Sequence, residues 1–117
     1  MIDHIAKPYI KNGRIDEWKR DMTSIAQCPN VYCKISGMVT EADMRHWKTA
    51  DFTPYLDVVT ECFGVERLMY GSDWPVCLCA GAYEMVLGVV QNYFAAFSAD
   101  EQQSVFTRNA TAFYQLT

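Results

Sequence analysis

Short apolar runs that alternate with longer amphipathic segments are the feature that most limits how this chain can fold. Runs of strand character lie at residues 1–2, 31–37 and 67–72, and each is followed by apolar residues at helical spacing. Each strand–helix–strand step is long enough for a right-handed crossover between parallel strands. Because no low-complexity stretch interrupts this order, residues 1–117 are predicted to form one α/β domain.

Four helices are predicted from the amphipathic segments and their end signals. Pro54 suits the first turn of the second helix, Gly64 suits its end, and Ser98-x-x-Glu101 is a capping box for the last. The predicted helical faces are Ile15, Trp18, Met22, Ile25 and Ala26; Tyr55, Leu56, Val59, Cys62 and Phe63; Tyr83, Val86, Leu87, Val90, Tyr93, Phe94 and Phe97; and Val105, Phe106, Ala110, Phe113 and Tyr114.

Composition and charge exclude several classes of function. The chain is 50% hydrophobic and 21% charged, which is typical of a globular protein. Its net charge is −4 and it has no basic run, so neither nucleic acid nor an anionic membrane is expected as a partner. No apolar run approaches the roughly 18 residues of a membrane span, and the first residues lack the pattern of a signal peptide. The sequence therefore predicts a cytoplasmic protein.

The cysteines give little support to a metal site. Their number, five, and their spacing do not suggest a disulfide framework. Cys77-Leu-Cys79 is the one close pair, and Cys-x-Cys alone is a weak signal for metal binding.

Polar residues gather where the predicted strands end. Asp3-His4 follows the first strand, Lys34 and Ser36 lie late in the second, and Asp73 follows the third just before Trp74-Pro75. In parallel α/β enzymes the chemistry sits at the carboxyl ends of the strands. Asp73 alone would fit a turn aspartate that binds its own loop, but the convergence of three polar strand ends favours a functional site.

Lys34 has two open interpretations. Val31, Cys33 and Ile35 alternate with Tyr32, Lys34 and Ser36, so the apolar set is predicted to pack on the helices and the polar set to face away. Lys34 then either has a partner in a polar cavity, because an unpaired buried charge is costly, or lies on an edge strand and reaches water.

The motifs of several common α/β enzymes are absent, and the polar residues that remain suit hydrolysis. The sequence has no G-x-G-x-x-G, no phosphate-binding loop and no G-x-S-x-G motif. Ser36 and Ser72 are weak candidates for a nucleophile beside His4, since neither lies in a strand-to-helix elbow. A carboxylate such as Asp73 can take a proton from water while an imidazole such as His4, or a metal, polarises a carbonyl. Only a curved or closed sheet would bring these two residues together.

Four motifs carry a resemblance to a known family. They are Asp3-His-Ile-Ala-Lys-Pro8, Asn30-Val-Tyr-Cys-Lys-Ile-Ser-Gly37, Phe63-Gly-Val-Glu-Arg-Leu-Met-Tyr-Gly-Ser-Asp-Trp-Pro-Val76 and Asn109-Ala-Thr-Ala-Phe-Tyr114. Together they resemble the carboxyl-terminal motifs of amidohydrolase-related (family 2) proteins, and in particular the sugar-lactonase branch of L-fuconolactone and L-rhamnonolactone hydrolases.

The resemblance implies a TIM-type (β/α)8 barrel of which this chain is the carboxyl-terminal part, with strands six to eight and the terminal helix. A complete barrel typically needs about 250 residues. His4 would end strand six, where it polarises a lactone carbonyl or relays a proton. Asp73 would end strand eight as the general base, or as a metal ligand that orients water. The implied substrate-binding residues are Lys34, Ser36, Trp47 and Trp74.

The resemblance also bears on cofactor and partners. It implies a sugar lactone or similar small molecule as substrate, and Zn²⁺ or Mn²⁺ as candidate cofactor, with His4 and Asp73 as candidate ligands. The family's His-x-His and strand-five histidine are not in this sequence, so the chain alone is expected to be weakly active or inactive. The alternative is a non-catalytic remnant or partner-binding module that forms homo-oligomers through open sheet edges. A free-standing flavodoxin-like module is disfavoured, since no glycine-rich phosphate loop is present.

Overall fold

The sheet is small and parallel. The structure is a computed structural model and describes residues 1–116. Strand β1 spans Cys33–Ile35 and pairs in parallel with β2, Leu68–Tyr70. On the other side of β1, Ile2 forms a single parallel bridge with Cys33, in which the Ile2 N–H donates to Tyr32 at 2.8 Å. The predicted order of three parallel chain segments is thus confirmed, with β1 in the middle.

Residues 1–116 contain five α-helices, and none of them has the length and apolarity needed to cross a bilayer. They are α1 (Asp16–Ile25), α2 (Thr53–Phe63), α3 (Tyr83–Phe94), α4 (Ala99–Gln103) and α5 (Asn109–Phe113). A π-helical segment, Ser104–Arg108, joins α4 to α5.

The local signals at the helix ends behave as predicted. Pro54 lies in the first turn of α2, and Gly64 ends that helix with φ = 68°. The Glu101 N–H donates to the Ser98 hydroxyl at 3.1 Å and the Ser98 N–H donates to the Glu101 carboxylate at 3.0 Å. This is the reciprocal arrangement of a capping box.

The strands are shorter than predicted. The run 31–37 forms only three strand residues, because a turn that closes with the Val31 N–H on the Cys28 carbonyl precedes it, and Gly37 turns away with φ = 63°. The run 67–72 begins with a short 3₁₀ turn at Val65–Arg67, so pairing starts at Leu68.

The two faces of the sheet differ as the alternation predicts. Cys33, Ile35 and Leu68 are fully buried against the helices. Lys34 and its neighbour Met69 point to the other face. Three positions of the predicted helical faces are wrong, since Ile25, Tyr83 and Tyr114 are 42%, 41% and 46% exposed. Ile25 is exposed because α1 ends there and Ala26 turns toward the core in its place.

The polar face is partly covered by the end of the chain. Phe113 packs on Tyr32 with ring centroids 5.1 Å apart, and the Lys34 ammonium lies 5.4 Å from the centre of the Tyr114 ring. Because β1 is the middle strand, the interpretation of Lys34 as an edge-strand residue in water is wrong. The polar set faces away from the helices of the core, as predicted, but α5 reaches across it.

Asn109 fixes α5 to the start of β2. Its buried side-chain amide donates to the carbonyls of Val65 and Leu68, both at 2.6 Å. Unpaired buried carbonyls are costly, so these two hydrogen bonds hold the terminal helix against the sheet. They also place the asparagine of the Asn109-Ala-Thr111 sequence inside the protein.

Candidate active site

His4 lies in an unusual backbone segment. His4, Ile5, Ala6 and Lys7 all have positive φ, between 43° and 60°. A left-handed conformation costs residues other than glycine about 1–2 kcal/mol each. Burial of Ile5 and a 2.7 Å hydrogen bond from the Trp18 indole N–H to the Ile5 carbonyl hold the segment in place. These tertiary contacts fix the backbone of His4 and therefore the position of its side chain. Backbone strain of this kind is typical of functional sites.

The imidazole of His4 rests on the end of β1. Its Nδ1 lies 2.8 Å from the hydroxyl oxygen of Ser36, a residue only 4% exposed. A Cβ added to Gly37 would lie 2.8 Å from the same Nδ1, which is closer than real Cβ atoms approach. Gly37 is therefore needed both for its positive φ and for the room it leaves the imidazole.

Asp73 lies opposite His4. It has φ = 57° and follows the end of β2, just before the cis peptide bond between Trp74 and Pro75. Its carbonyl accepts the Cys77 N–H at 2.9 Å, which ties it to the next turn. Its Oδ1 lies 3.9 Å from His4 Nε2, and the two side chains are 20% and 30% exposed. The two side chains, 69 residues apart in the sequence, are thus brought together.

The pair has the chemistry of acid–base catalysis. At 3.9 Å the carboxylate and the imidazole are too far apart for a direct hydrogen bond, so each keeps capacity for a third group. Both remain partly open to solvent, and a water molecule and a carbonyl could therefore reach them. Such a pair can take a proton from the water and polarise the carbonyl.

The same pair fits a divalent cation only in part. Imidazole nitrogen and carboxylate oxygen are ordinary zinc ligands, and a tetrahedral pair of them would lie roughly 3.4 Å apart. The observed separation is 3.9 Å. Catalytic zinc takes three protein ligands, and among residues 1–116 no cluster of three or more His, Cys, Asp and Glu side chains could hold a metal ion. His4 and Asp73 are thus two donors of an incomplete metal site.

Lys34 has its partners on the polar face. Its ammonium lies 3.2 Å from the Asp3 carboxylate, and its side chain is 26% exposed. Hydrogen bonding to Tyr114 is the main cause that raises the pKa of Lys34 above its usual value; the Asp3 hydrogen bond and charge add to it, while burial opposes it. The lysine stem passes Gly71, where an added Cβ would lie 3.1 Å from Lys34 Cδ. Lys34 therefore forms an ion pair with Asp3 on the polar face of the sheet.

The two tryptophans predicted for the pocket lie in different settings. Trp47 is half-buried, donates its indole N–H to the Ala80 carbonyl at 2.7 Å and packs on Phe52. It anchors one loop on another. Trp74 is 64% exposed beside Asp73. Substrate-binding roles for Lys34, Ser36, Trp47 and Trp74 remain predictions, and only Ser36 among them contacts His4 in the described structure.

Sequence reasoning missed Gly37 and the Asp3–Lys34 ion pair. The signal for the first was available, since a glycine directly after Ser36 at a strand end indicates close approach of another group. Asp3 was recognised as a strand-end residue, but its partner depends on the pairing of Ile2 with β1, which the sequence does not specify.

Two cavities in residues 1–116 lie near the pair but are not lined by either of its residues. A groove of about 820 Å³ has the volume of a ligand site. It lies along residues 6–22, however, and includes neither His4 nor Asp73. The small space beside Ser36, of about 10 Å³, holds at most one water molecule. A lactone at His4 and Asp73 would need further protein around it.

Comparison with known proteins identifies the family. The family model described as amidohydrolase matches residues 1–116. This chain belongs to the amidohydrolase family. Two curated L-fucono-1,5-lactonases, from Burkholderia multivorans and Burkholderia ambifaria, are 36% and 40% identical to it. Each match covers 99% of this chain but only 43% and 41% of the relative, so this amidohydrolase-family chain spans about two-fifths of their length.

Solved structures agree with the fold. A crystal structure of an amidohydrolase from Burkholderia multivorans with bound HEPES has a TM-score of 0.91 and 36% sequence identity, covering 99% of this chain and 44% of that one. A second crystal form, with bound zinc, has a TM-score of 0.89 and covers 98% and 43%. The α/β fold of residues 1–116 thus matches part of a larger amidohydrolase structure.

Proposed function

We propose that this chain supplies the water-activating residues of a lactone hydrolase, as strands six to eight and the terminal helix of a (β/α)8 barrel. The approach of His4 Nε2 to Asp73 Oδ1, at 3.9 Å, carries the proposal. Both residues follow parallel strand segments at the edge where barrel enzymes keep their chemistry. The lactonase relatives support a sugar lactone as the class of substrate.

The two side chains have different tasks in the proposed reaction. Asp73 takes a proton from water as the water oxygen attacks the ring carbonyl, and His4 donates a hydrogen bond to the carbonyl oxygen, where negative charge develops. The bond between carbonyl carbon and ring oxygen then breaks. Asp73 returns its proton to the ring oxygen, which becomes a hydroxyl, and the carboxylic acid formed at the carbonyl carbon loses its remaining proton to solvent, leaving the carboxylate of an open-chain sugar acid.

A divalent metal would replace the His4 N–H at the carbonyl, because an imidazole that ligates a metal through Nε2 carries no proton there. His4 and Asp73 would provide two of its ligands, and the rest of the barrel the others. When bound, such an ion lowers the pKa of a coordinated water and polarises a carbonyl. The zinc in the Burkholderia multivorans structure supports Zn²⁺ as the first ion to test.

A completed barrel is the experiment that tests this function. We would join the part of the Burkholderia multivorans lactonase outside its match ahead of residues 1–117, because this chain spans only about two-fifths of that relative's length. The chimera, loaded with Zn²⁺ or Mn²⁺, is expected to hydrolyse L-fucono-1,5-lactone at least a hundredfold faster than the 117-residue chain under the same conditions, since general acid–base catalysis alone contributes about 10²–10⁴.

Two outcomes would contradict it. A well-folded chimera with no lactonase activity would show that this segment cannot serve as that part of the barrel. Equal rates for the chimera and the short chain would show that no further walls are needed. Sizing of the short chain addresses the alternative, a self-associating module. The outer edges of Ile2 and β2 are without a sheet neighbour in residues 1–116, and unpaired edges favour association. Cytoplasmic location stays a prediction.

A further inference from the structure

The Ser36 side chain is hydrogen-bonded to the candidate site through His4. Its hydroxyl oxygen lies 2.8 Å from His4 Nδ1, and no other hydrogen bond of this hydroxyl occurs within residues 1–116. With 4% of its surface exposed, it lies beneath the imidazole rather than beside open space. A nucleophile must reach its substrate, so this burial excludes attack by Ser36.

The direction of the hydrogen bond between Ser36 and His4 follows from the surroundings of the other ring nitrogen, Nε2. Neutral imidazole carries one N–H and one lone pair. His4 Nε2 faces the Asp73 carboxylate at 3.9 Å, and a carboxylate presents only negative charge and acceptor sites. A proton on Nε2 is therefore favoured, because a lone pair on this nitrogen would face the negative charge of the Asp73 carboxylate. Nδ1 is then the acceptor, and the Ser36 hydroxyl donates to it.

We propose that Ser36 is a positioning residue: it donates a hydrogen bond to His4 Nδ1 and so holds the ring in the tautomer whose Nε2–H points toward Asp73. Gly37 makes this possible, since any side chain there would occupy the position of the imidazole. In the metal-free protein the arrangement presents an N–H donor to the site, whereas a metal bound at Nε2 would leave the ring proton on Nδ1. An N–H donor can polarise a carbonyl, which is one of the two roles that the resemblance implies for His4. That catalytic meaning rests on the proposed function; the geometry of the ring does not.

Nitrogen NMR of the metal-free 117-residue chain tests the proposal. The chain has two histidines, and His46, whose side chain is 80% exposed, serves as internal reference. With ¹⁵N-labelled histidine at a pH about two units above the usual imidazole pKa, long-range ¹H–¹⁵N correlations report which ring nitrogen is protonated. We expect His4 to show Nε2–H with a larger shift difference between its two nitrogens than His46. Ser36→Ala should reduce that difference to the value for His46.

Two variants separate positioning from packing. Ser36→Thr keeps the hydroxyl and should restore the wild-type pattern. Ser72→Ala is the matched control, because the Ser72 hydroxyl accepts the Trp74 N–H at 3.1 Å and does not contact His4; it should leave the His4 signals unchanged. A protonated Nδ1 in the wild-type chain, or identical His4 shifts in wild type and Ser36→Ala, would overturn the proposal. If the NMR pattern holds and the chimera is inactive, the proposed function fails and the positioning role stands.

Discussion

Replacement of Asp73 by asparagine in the completed barrel is expected to lower kcat/KM for L-fucono-1,5-lactone by about a thousandfold, the middle of the range for a lost general base. The amide has nearly the same shape as the carboxylate, but it cannot take a proton from water. It also removes the negative charge that faces His4 at 3.9 Å. Initial rates of lactone hydrolysis, followed by proton release in weakly buffered solution, measure the effect.

Asp21→Asn is the matched control for this substitution. Asp21 lies exposed on α1, far along the chain from the strand ends, and the same chemical change there should leave the rate unaltered. Thermal melting establishes that both variants fold. Activity of Asp73→Asn within tenfold of the parent chimera would show that Asp73 is not the base.

Arg67→Ala is expected to lower the free energy of unfolding of the 117-residue chain by about 3 kcal/mol, the upper end for hydrogen bonds of a charged group. The guanidinium donates to carbonyls of three separate segments: Ala26 and Cys28 after α1, Val31 before β1, and Cys62 in α2, at 2.9–3.4 Å. Its removal leaves all four without this donor. Urea unfolding followed by circular dichroism gives the change.

Lysine at position 67 should recover less than half of that loss. The three N–H donors of an ammonium share one nitrogen, so lysine cannot reach the separate carbonyls that the guanidinium reaches. Lysine also loses the stacking of the guanidinium carbon 5.2 Å from the centre of the Phe63 ring. Arg20→Ala, an exposed arginine on α1, is the control and should change stability by no more than about 0.5 kcal/mol. A loss below about 1 kcal/mol for Arg67→Ala would mean that water replaces the arginine at these carbonyls.

The order of elements was predictable because it depends on local patterns. Helical periodicity predicted α1 to α3, and the capping box at Ser98 and Glu101 predicted the start of α4. The left-handed segment at His4–Lys7 was not predictable, since residues other than glycine avoid that conformation and only the burial of Ile5 and its bond from Trp18 hold it.

The meeting of His4 and Asp73 was predictable from strand ends, but the surroundings of the pair were not. The Ser36–His4 hydrogen bond depends on how the Asp3–Ala6 turn folds back over Gly37. The interaction of Lys34 with Tyr114 depends on where the last helix crosses the sheet, and Asn109 fixes that crossing through carbonyls of β2 and the turn before it. Each is a long-range contact with no local pattern in the sequence.

The position of a bound lactone analogue tests the central claim most directly, that His4 and Asp73 handle the water and the carbonyl. A crystal structure of the chimera with the lactam analogue of the sugar lactone would give the two distances. We predict the lactam carbonyl oxygen within about 3.2 Å of His4 Nε2, or of a metal bound there, and an Asp73 oxygen at the same range from a water that faces the carbonyl carbon. A lactam bound with its carbonyl more than about 6 Å from both side chains, beyond hydrogen bonding even through a single water, would contradict the account.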